Sequence, residues 1–290
     1  MKKIIFDCDN TMGIKGCDVD DGLALLYLLG CKNAKVCGIT ATYGNNKIDV
    51  VYSNIKEMLK EIGCEDITLK KGGRCPGDYK NEASEYLAEM ASRYPGELSI
   101  LATGSLTNLQ GAYELEPNFF NYVKEIVLMG GITSPLVFEK KVMDELNFSC
   151  DPLATYHVLK YGHDVSVITG NNCLKVLFTK EEYKRELFNS EKRIAKYISE
   201  KTDYWFSYNQ DGYGIKGFYN WDVTAAVYLM HPELFEKKER FFDLSKEDLT
   251  KGYLREEVEG YTLNLPEIKD EMSFKRNIYD TWLEVPMAYK

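Results

Sequence analysis

The chain reads as an α/β protein, a single domain whose mostly parallel central sheet is covered by helices on both faces. Three observations predict this. Short apolar runs rich in β-branched residues alternate with stretches of helical period, the alternation occurs five times, and the joining turns are short and marked by Gly, Asn or Pro. No low-complexity linker interrupts it, so residues 1–290 are taken as one domain.

Ile4-Ile5-Phe6 marks the first strand, over residues 3–7, and the apolar stretch 21–29 the first helix. Residues 36–42 form the second strand and 47–62 the second helix. A helix over 82–92, a strand over 98–103 and a helix over 106–115 follow. Strands at 125–129 and 164–169 flank a helix at 152–160. Residues 180–209 read as charged helices without strands, ending in Tyr204-Trp205-Phe206-Ser207-Tyr208, and 222–230 as another helix. The remainder, 241–290, reads as a charged, strand-like tail.

Composition excludes several classes. With 36 Lys plus Arg against 45 Asp plus Glu, the net charge is −9, which offers no attractive field to nucleic acid or anionic membrane. No apolar run reaches the roughly 18–20 residues that span a bilayer. The eight cysteines contain no C-x-x-C pair, several lie in apolar runs, and a reducing cytoplasm is the expected compartment. Three histidines are too few for a multi-histidine transition-metal site.

In such folds ligands bind beyond the carboxyl ends of the strands. There the first strand runs into Asp7-Cys8-Asp9-Asn10-Thr11, and a loop leads to Asp18-Val19-Asp20-Asp21-Gly22. Asp18, Asp20 and Asp21 suit the positive end of the next helix as capping residues. Capping does not account for Asp7 and Asp9. Carboxylates crowded in this way repel one another unless protonated or bridged by a hard divalent cation.

Two families open in this way. The run Ile4-Ile5-Phe6-Asp7-Cys8-Asp9-Asn10-Thr11 resembles the first motif of haloacid-dehalogenase-like phosphatases, in which Asp7 would be the nucleophile, Asp9 the acid/base and magnesium the metal. The same Asp-x-Asp followed by Asp20-Asp21-Gly22-Leu23-Ala24-Leu25 resembles the nucleoside hydrolases. That second resemblance continues in order through Thr42-Tyr43-Gly44-Asn45, Thr103-Gly104-Ser105-Leu106-Thr107-Asn108, Met129-Gly130-Gly131, Glu145-Leu146-Asn147-Phe148 and Trp221-Asp222.

The nucleoside-hydrolase resemblance implies a calcium ion held by Asp9, Asp21, the Thr103 carbonyl and Asp222, with a metal-bound water as nucleophile and Asp9 as general base. It implies Asp20 and Asn147 on ribose hydroxyls, Asn45 near the reacting centre, Glu145 accepting from a sugar hydroxyl and Met129 packed on the sugar. It also implies a homo-oligomer, dimer or tetramer. Where many members have a histidine before the last metal-binding Asp, Trp221 stands here, similar to the purine-preferring branch, which stacks tryptophan on the base. The aromatic stretch 204–219 then reads as a lid over the base. A ribose- or nucleoside-binding protein without turnover is the third reading. Two departures stand out. The loop 10–19 has ten residues where the family has three, and Glu139 replaces an Asn expected six residues before Glu145.

Overall fold

The computed structural model describes residues 1–287, and the five anticipated strands form the centre of a nine-stranded sheet. In chain order the elements are β1 (Lys2–Cys8), α1 (Asp20–Gly30), β2 (Ala34–Ala41), α2 (Ile48–Ile62), β3 (Leu69–Lys71), α3 (Glu82–Arg93), β4 (Leu98–Ala102), α4 (Thr107–Leu115) and β5 (Val123–Met129). Then follow α5 (Pro152–Tyr161), β6 (Val165–Ile168), α6 (Arg193–Tyr213), α7 (Trp221–Met230), β7 (Glu239–Asp243), β8 (Arg255–Glu257), β9 (Tyr261–Asn264) and α8 (Glu271–Trp282). The sheet order is β8-β7-β9-β6-β5-β4-β1-β2-β3. All pairings from β9 to β3 are parallel, and β7 alone runs against its neighbours.

The pleat explains why the central strands are apolar throughout. Ile4, Phe6, Val127 and Met129 point into one core, shared with α1, α2, α6, α7 and α8, whereas Ile5, Ile126 and Leu128 point into the other, with α3, α4 and α5. In register, Phe6 lies between Ile39 and Leu101, and Asp7 between Thr40 and Ala102. The strand ends that follow are therefore level with one another.

Three departures from the sequence expectations have clear causes. The edge strand β3 escaped notice because its three residues, Leu69-Lys70-Lys71, are half-buried and two are Lys. The tail is strand-like only as far as β9. Phe274, Ile278 and Trp282 recur every four residues and make α8 a buried-face helix. The helices expected to end at residue 209 run on to Tyr213, into the aromatic stretch 204–219. Most of it continues α6, whose Thr202, Trp205, Phe206 and Asn209 are buried, and the helix stops only where Gly214 takes up φ 79°. Residues 288–290 of the expected tail lie outside the described residues.

Among the described residues, no helix is long and apolar enough to cross a membrane. Helix α8 is locked onto α1. Trp282 is fully buried and its Nε1 donates to the Leu23 carbonyl at 2.9 Å, while Gly30 gives the Thr281 carbonyl room that any Cβ would occupy. Trp282→Ala should therefore destabilise the fold by about 3–5 kcal/mol, read as a lowered denaturant midpoint at unchanged m-value.

Candidate active site

Helices α3, α5 and α8 begin with side-chain caps, Asn81, Asp151 and Asp270 accepting from Ser84, Ala154 and Ser273 amides. Helices α1 and α7 do not. Their N-cap residues, Val19 and Asn220, make no side-chain capping bond, and the aspartates sit inside the first turn, at Asp20, Asp21 and Asp222. These carboxylates face one another, their nearest oxygens all within 4.8 Å. The Asp222 amide donates to Asp20 Oδ2 at 3.0 Å, so the positive end of α7 is aimed at the cluster.

Asp9 joins them from the end of β1. It is sealed from solvent, accepts from the Asn45 amide at 2.5 Å, and lies beside Asp21. The Asn45 side chain bridges the two more loosely, at 3.3 Å to Asp9 and 3.4 Å to Asp21. The Thr103 hydroxyl donates to Asp21 Oδ1 at 2.6 Å, a contact not foreseen when only its carbonyl was considered.

Burial sets the electrostatics. It pushes the Asp9 carboxyl up to about 6 and holds those of Asp21 and Asp222 well above the usual range, with neighbouring carboxylates adding to each shift. Asp18, taken from the sequence as a capping residue, belongs to the same group, its acidity suppressed by burial and by Asp20. No Lys, Arg or His side chain bonds to Asp9, Asp20, Asp21 or Asp222 among the described residues. An all-oxygen, acid-rich cage of this kind fits a hard divalent cation.

Asp7, the nucleophile of the phosphatase reading, is not available. It is fully buried, its Oδ2 accepts from Thr40 and Asn108 at 2.6 and 2.8 Å, and burial raises its carboxyl to about 7. It braces β1 against β2 and α4 rather than facing a ligand.

Above the cluster lies a cavity of about 260 Å³. Asp18, Asp20, Asp222, Asn45 and Thr103 form its floor, with Asp9 and Asp21 beneath. Trp205, Tyr208, Tyr213 and Trp221 form an aromatic wall. Trp205 and Tyr208 stack at 4.6 Å and 11°, and Trp221 leans on Tyr219 at 5.1 Å. Trp205, Tyr208 and Asn209 share α6 at helical spacing. That spacing sets them on one face of a helix within the helical stretch expected over 180–209.

Met129, Glu145 and Asn147 also line the cavity. The Asn147 amide nitrogen donates to the Met129 carbonyl at 3.0 Å. Glu145, expected to accept from a sugar hydroxyl, lines the cavity and accepts from the amides of Gly131, Phe148 and Ser149 at 2.8–3.0 Å. It clamps the loop that carries Asn147.

The long loop 10–19 folds into the site rather than away from it. Gly13 and Gly16 adopt φ 91° and 84°, conformations that strain any other residue, and Gly16 and Cys17 line the cavity. The loop is tied to α2 by Asn54, which donates to the Asn10 and Met12 carbonyls, and to α6 by Tyr204, whose hydroxyl donates to the Cys17 carbonyl at 3.0 Å.

Comparison with known proteins places this geometry. The family model described as inosine-uridine preferring nucleoside hydrolase matches residues 4–270. A probable uridine nucleosidase 2 of Arabidopsis thaliana is 27% identical over 280 residues, covering 87% of this chain and 84% of that one. A plant nucleoside hydrolase structure superposes with a TM-score of 0.84 at 23% identity, covering 98% and 99% of the two chains. The purine-preferring ribonucleoside hydrolase from Gardnerella vaginalis superposes with the same score at 21% identity and the same coverage.

The cluster makes two linked predictions. With chelator present, Asp9 and Asp7 titrate near 6 and 7 in the folded chain, against an ordinary 3.8. The folded state then holds more protons than the unfolded one, so stability falls as pH rises from about 4 through 7. Calcium at a hundredfold excess over its Kd should restore about 2.7 kcal/mol at pH 7.5. Asp21→Asn should raise the chelator-treated melting temperature at pH 7.5, by removing a repelling charge, yet abolish the calcium-induced rise. Thermal scans of both proteins with and without calcium check this.

Proposed function

This chain belongs to the inosine-uridine preferring nucleoside hydrolase family and hydrolyses N-glycosyl bonds, and from that premise we propose a calcium-dependent ribonucleoside hydrolase that prefers purines. The whole chain serves as one catalytic domain in a reducing cytoplasm, in keeping with eight unpaired cysteines. The observation that carries the proposal is the meeting of buried, cation-free Asp20, Asp21 and Asp222 with an aromatic wall that starts at the adjacent Trp221.

Asp9, Asp21, Asp222 and the Thr103 carbonyl would hold the ion, and Asp20, whose carboxylate reaches the same point, would share it or grip the ribose beside it. When bound, calcium balances the carboxylate charge, anchors a vicinal diol and makes water more acidic. Asp9 serves as general base, accepting the proton that the attacking water loses. Because Asp9 is sealed in this structure, the Asn45 side chain, whose contacts to Asp9 and Asp21 are long at 3.3 and 3.4 Å, must turn aside for water to reach it.

The water oxygen bonds to C1′ as the C1′–N bond breaks and its electron pair leaves with the base. Positive charge on the sugar ring in the transition state favours a site built of carboxylates. Asn147 holds a ribose hydroxyl through its free Oδ1, Met129 packs on the sugar, and Glu145 acts by fixing the loop between them. Trp221 cannot donate a useful proton. Its face stacks on the purine and favours the protonated base, to which solvent delivers the proton.

The purine preference rests on Trp221 and on Trp205 and Tyr208, aromatic residues that line the cavity and stack on one another. The relatives divide on this point, since the Arabidopsis protein is a probable uridine nucleosidase and the Gardnerella enzyme is purine-preferring.

Free ribose should appear when the protein is incubated with inosine and calcium, and Asp9→Asn should slow its release roughly 10²–10⁴-fold. Uridine released faster than inosine would reverse the base preference. Trp221→Ala should slow purine nucleosides by about tenfold more than p-nitrophenyl riboside, whose leaving group needs no activation. Equal losses on both substrates would remove stacking as the means of activation.

A further inference from the structure

A ribonucleoside has three ends, and the cavity has three sides. The acidic floor suits the vicinal diol, and the wall of Trp205, Tyr208 and Trp221 suits the base. The third side runs past the ends of β5 and β6 and is lined by Ile132, Leu136, Met143 and Leu146. By elimination it faces the 5′ end of the sugar. Three of these adjoin: Leu136 is paired with Met143, and at Gly170 a Cβ would come within 2.9 Å of Leu136 and 3.4 Å of Ile132.

The polar atoms nearby are already engaged. Glu145 Oε1 accepts from the Gly131 and Phe148 amides and Oε2 from the Ser149 amide. Gly252 packs against Glu145, and a Cβ there would lie 1.8 Å from Oε2. The Asn147 amide nitrogen is spent on Met129. Asp144 lines the cavity but is exposed. A 5′-hydroxyl here would leave water for aliphatic side chains and occupied acceptors, whereas a methyl or thioether would gain contact.

We propose that this side of the cavity receives an uncharged, apolar 5′ substituent, so that 5′-deoxy- and 5′-alkylthio-ribonucleosides are preferred substrates. The inference rests on the nucleosidase reading, with the diol on the acidic floor. The chemistry is unchanged. Water adds to C1′, the C1′–N electron pair leaves with the base, the base gains a proton, and the 5′ carbon and sulfur keep their bonds and oxidation state. A 5′-phosphate is rejected, because Asp18, Asp20 and Asp144 line the same cavity.

The test compares kcat/KM for adenosine, 5′-deoxyadenosine, 5′-methylthioadenosine and adenosine 5′-monophosphate on one calcium-loaded preparation. 5′-Methylthioadenosine should exceed adenosine by about tenfold, the scale of one apolar group in a pocket, and the monophosphate should be the poorest of the four. Leu136→Asn should reduce the methylthioadenosine-to-adenosine ratio roughly fivefold. That ratio does not depend on the fraction of protein folded. Adenosine outpacing both 5′-modified nucleosides tenfold overturns the inference while leaving the nucleosidase reading intact. If none of the nucleosides is hydrolysed, the nucleosidase reading fails and this inference with it.

Discussion

Everything near the ligand-binding edge of the sheet answers to one constraint: aspartates from three separate stretches of chain are buried together without a cationic side chain. Asp9 comes from the end of β1, Asp20 and Asp21 from the start of α1, and Asp222 from the start of α7. Such a group is tolerable only if protons, helix dipoles or a metal supply positive charge. The fold uses the second directly, turning the amino end of α7 onto Asp20. It makes room for the first by raising the Asp9, Asp21 and Asp222 carboxyls. The oxygen-only cage leaves the third open. Parallel strands of matched register, with Asp7 bonded to Thr40 and Asn108, keep the floor level.

The framework was legible because its local signals agree. Ile4-Ile5-Phe6 can only be buried on both sides, and the short turns between strand and helix force a parallel sheet. The acidic residues were legible for the opposite reason, since Asp7, Asp9, Asp20 and Asp21 contradict their apolar surroundings and so need a purpose. What escaped was information that exists only after folding. Nothing in Leu69-Lys70-Lys71 says that it will find a sheet edge. The helix expected to end at residue 209 runs four residues further, to Tyr213, where Gly214 stops it. The backbone partners of Glu145, the amides of Gly131, Phe148 and Ser149, are likewise invisible before the loop is closed.

In the proposed reading, base and sugar recognition are held by different kinds of structure. The floor is fixed by helix starts and strand ends, the most rigid points of the fold, which suits a centre that must hold atoms in register for reaction. The aromatic wall is carried by one helix face and by Trp221, and the aliphatic side by residues beyond β5. Variation in either of those two sides can alter what is bound while the acidic centre stays as it is.

The loop 10–19 crosses this division. Its carbonyl at Cys17 is held by Tyr204, the Lys201 side chain packs over Gly13, and Lys201 and Tyr197 both reach Glu61 on α2. Floor and wall are therefore spliced into one mechanical unit. Swinging α6 outward would break the Tyr204 bond and uncover Gly13, so movement of the helix is coupled to the loop. A shorter loop would release that coupling only by stranding the Tyr204 hydroxyl.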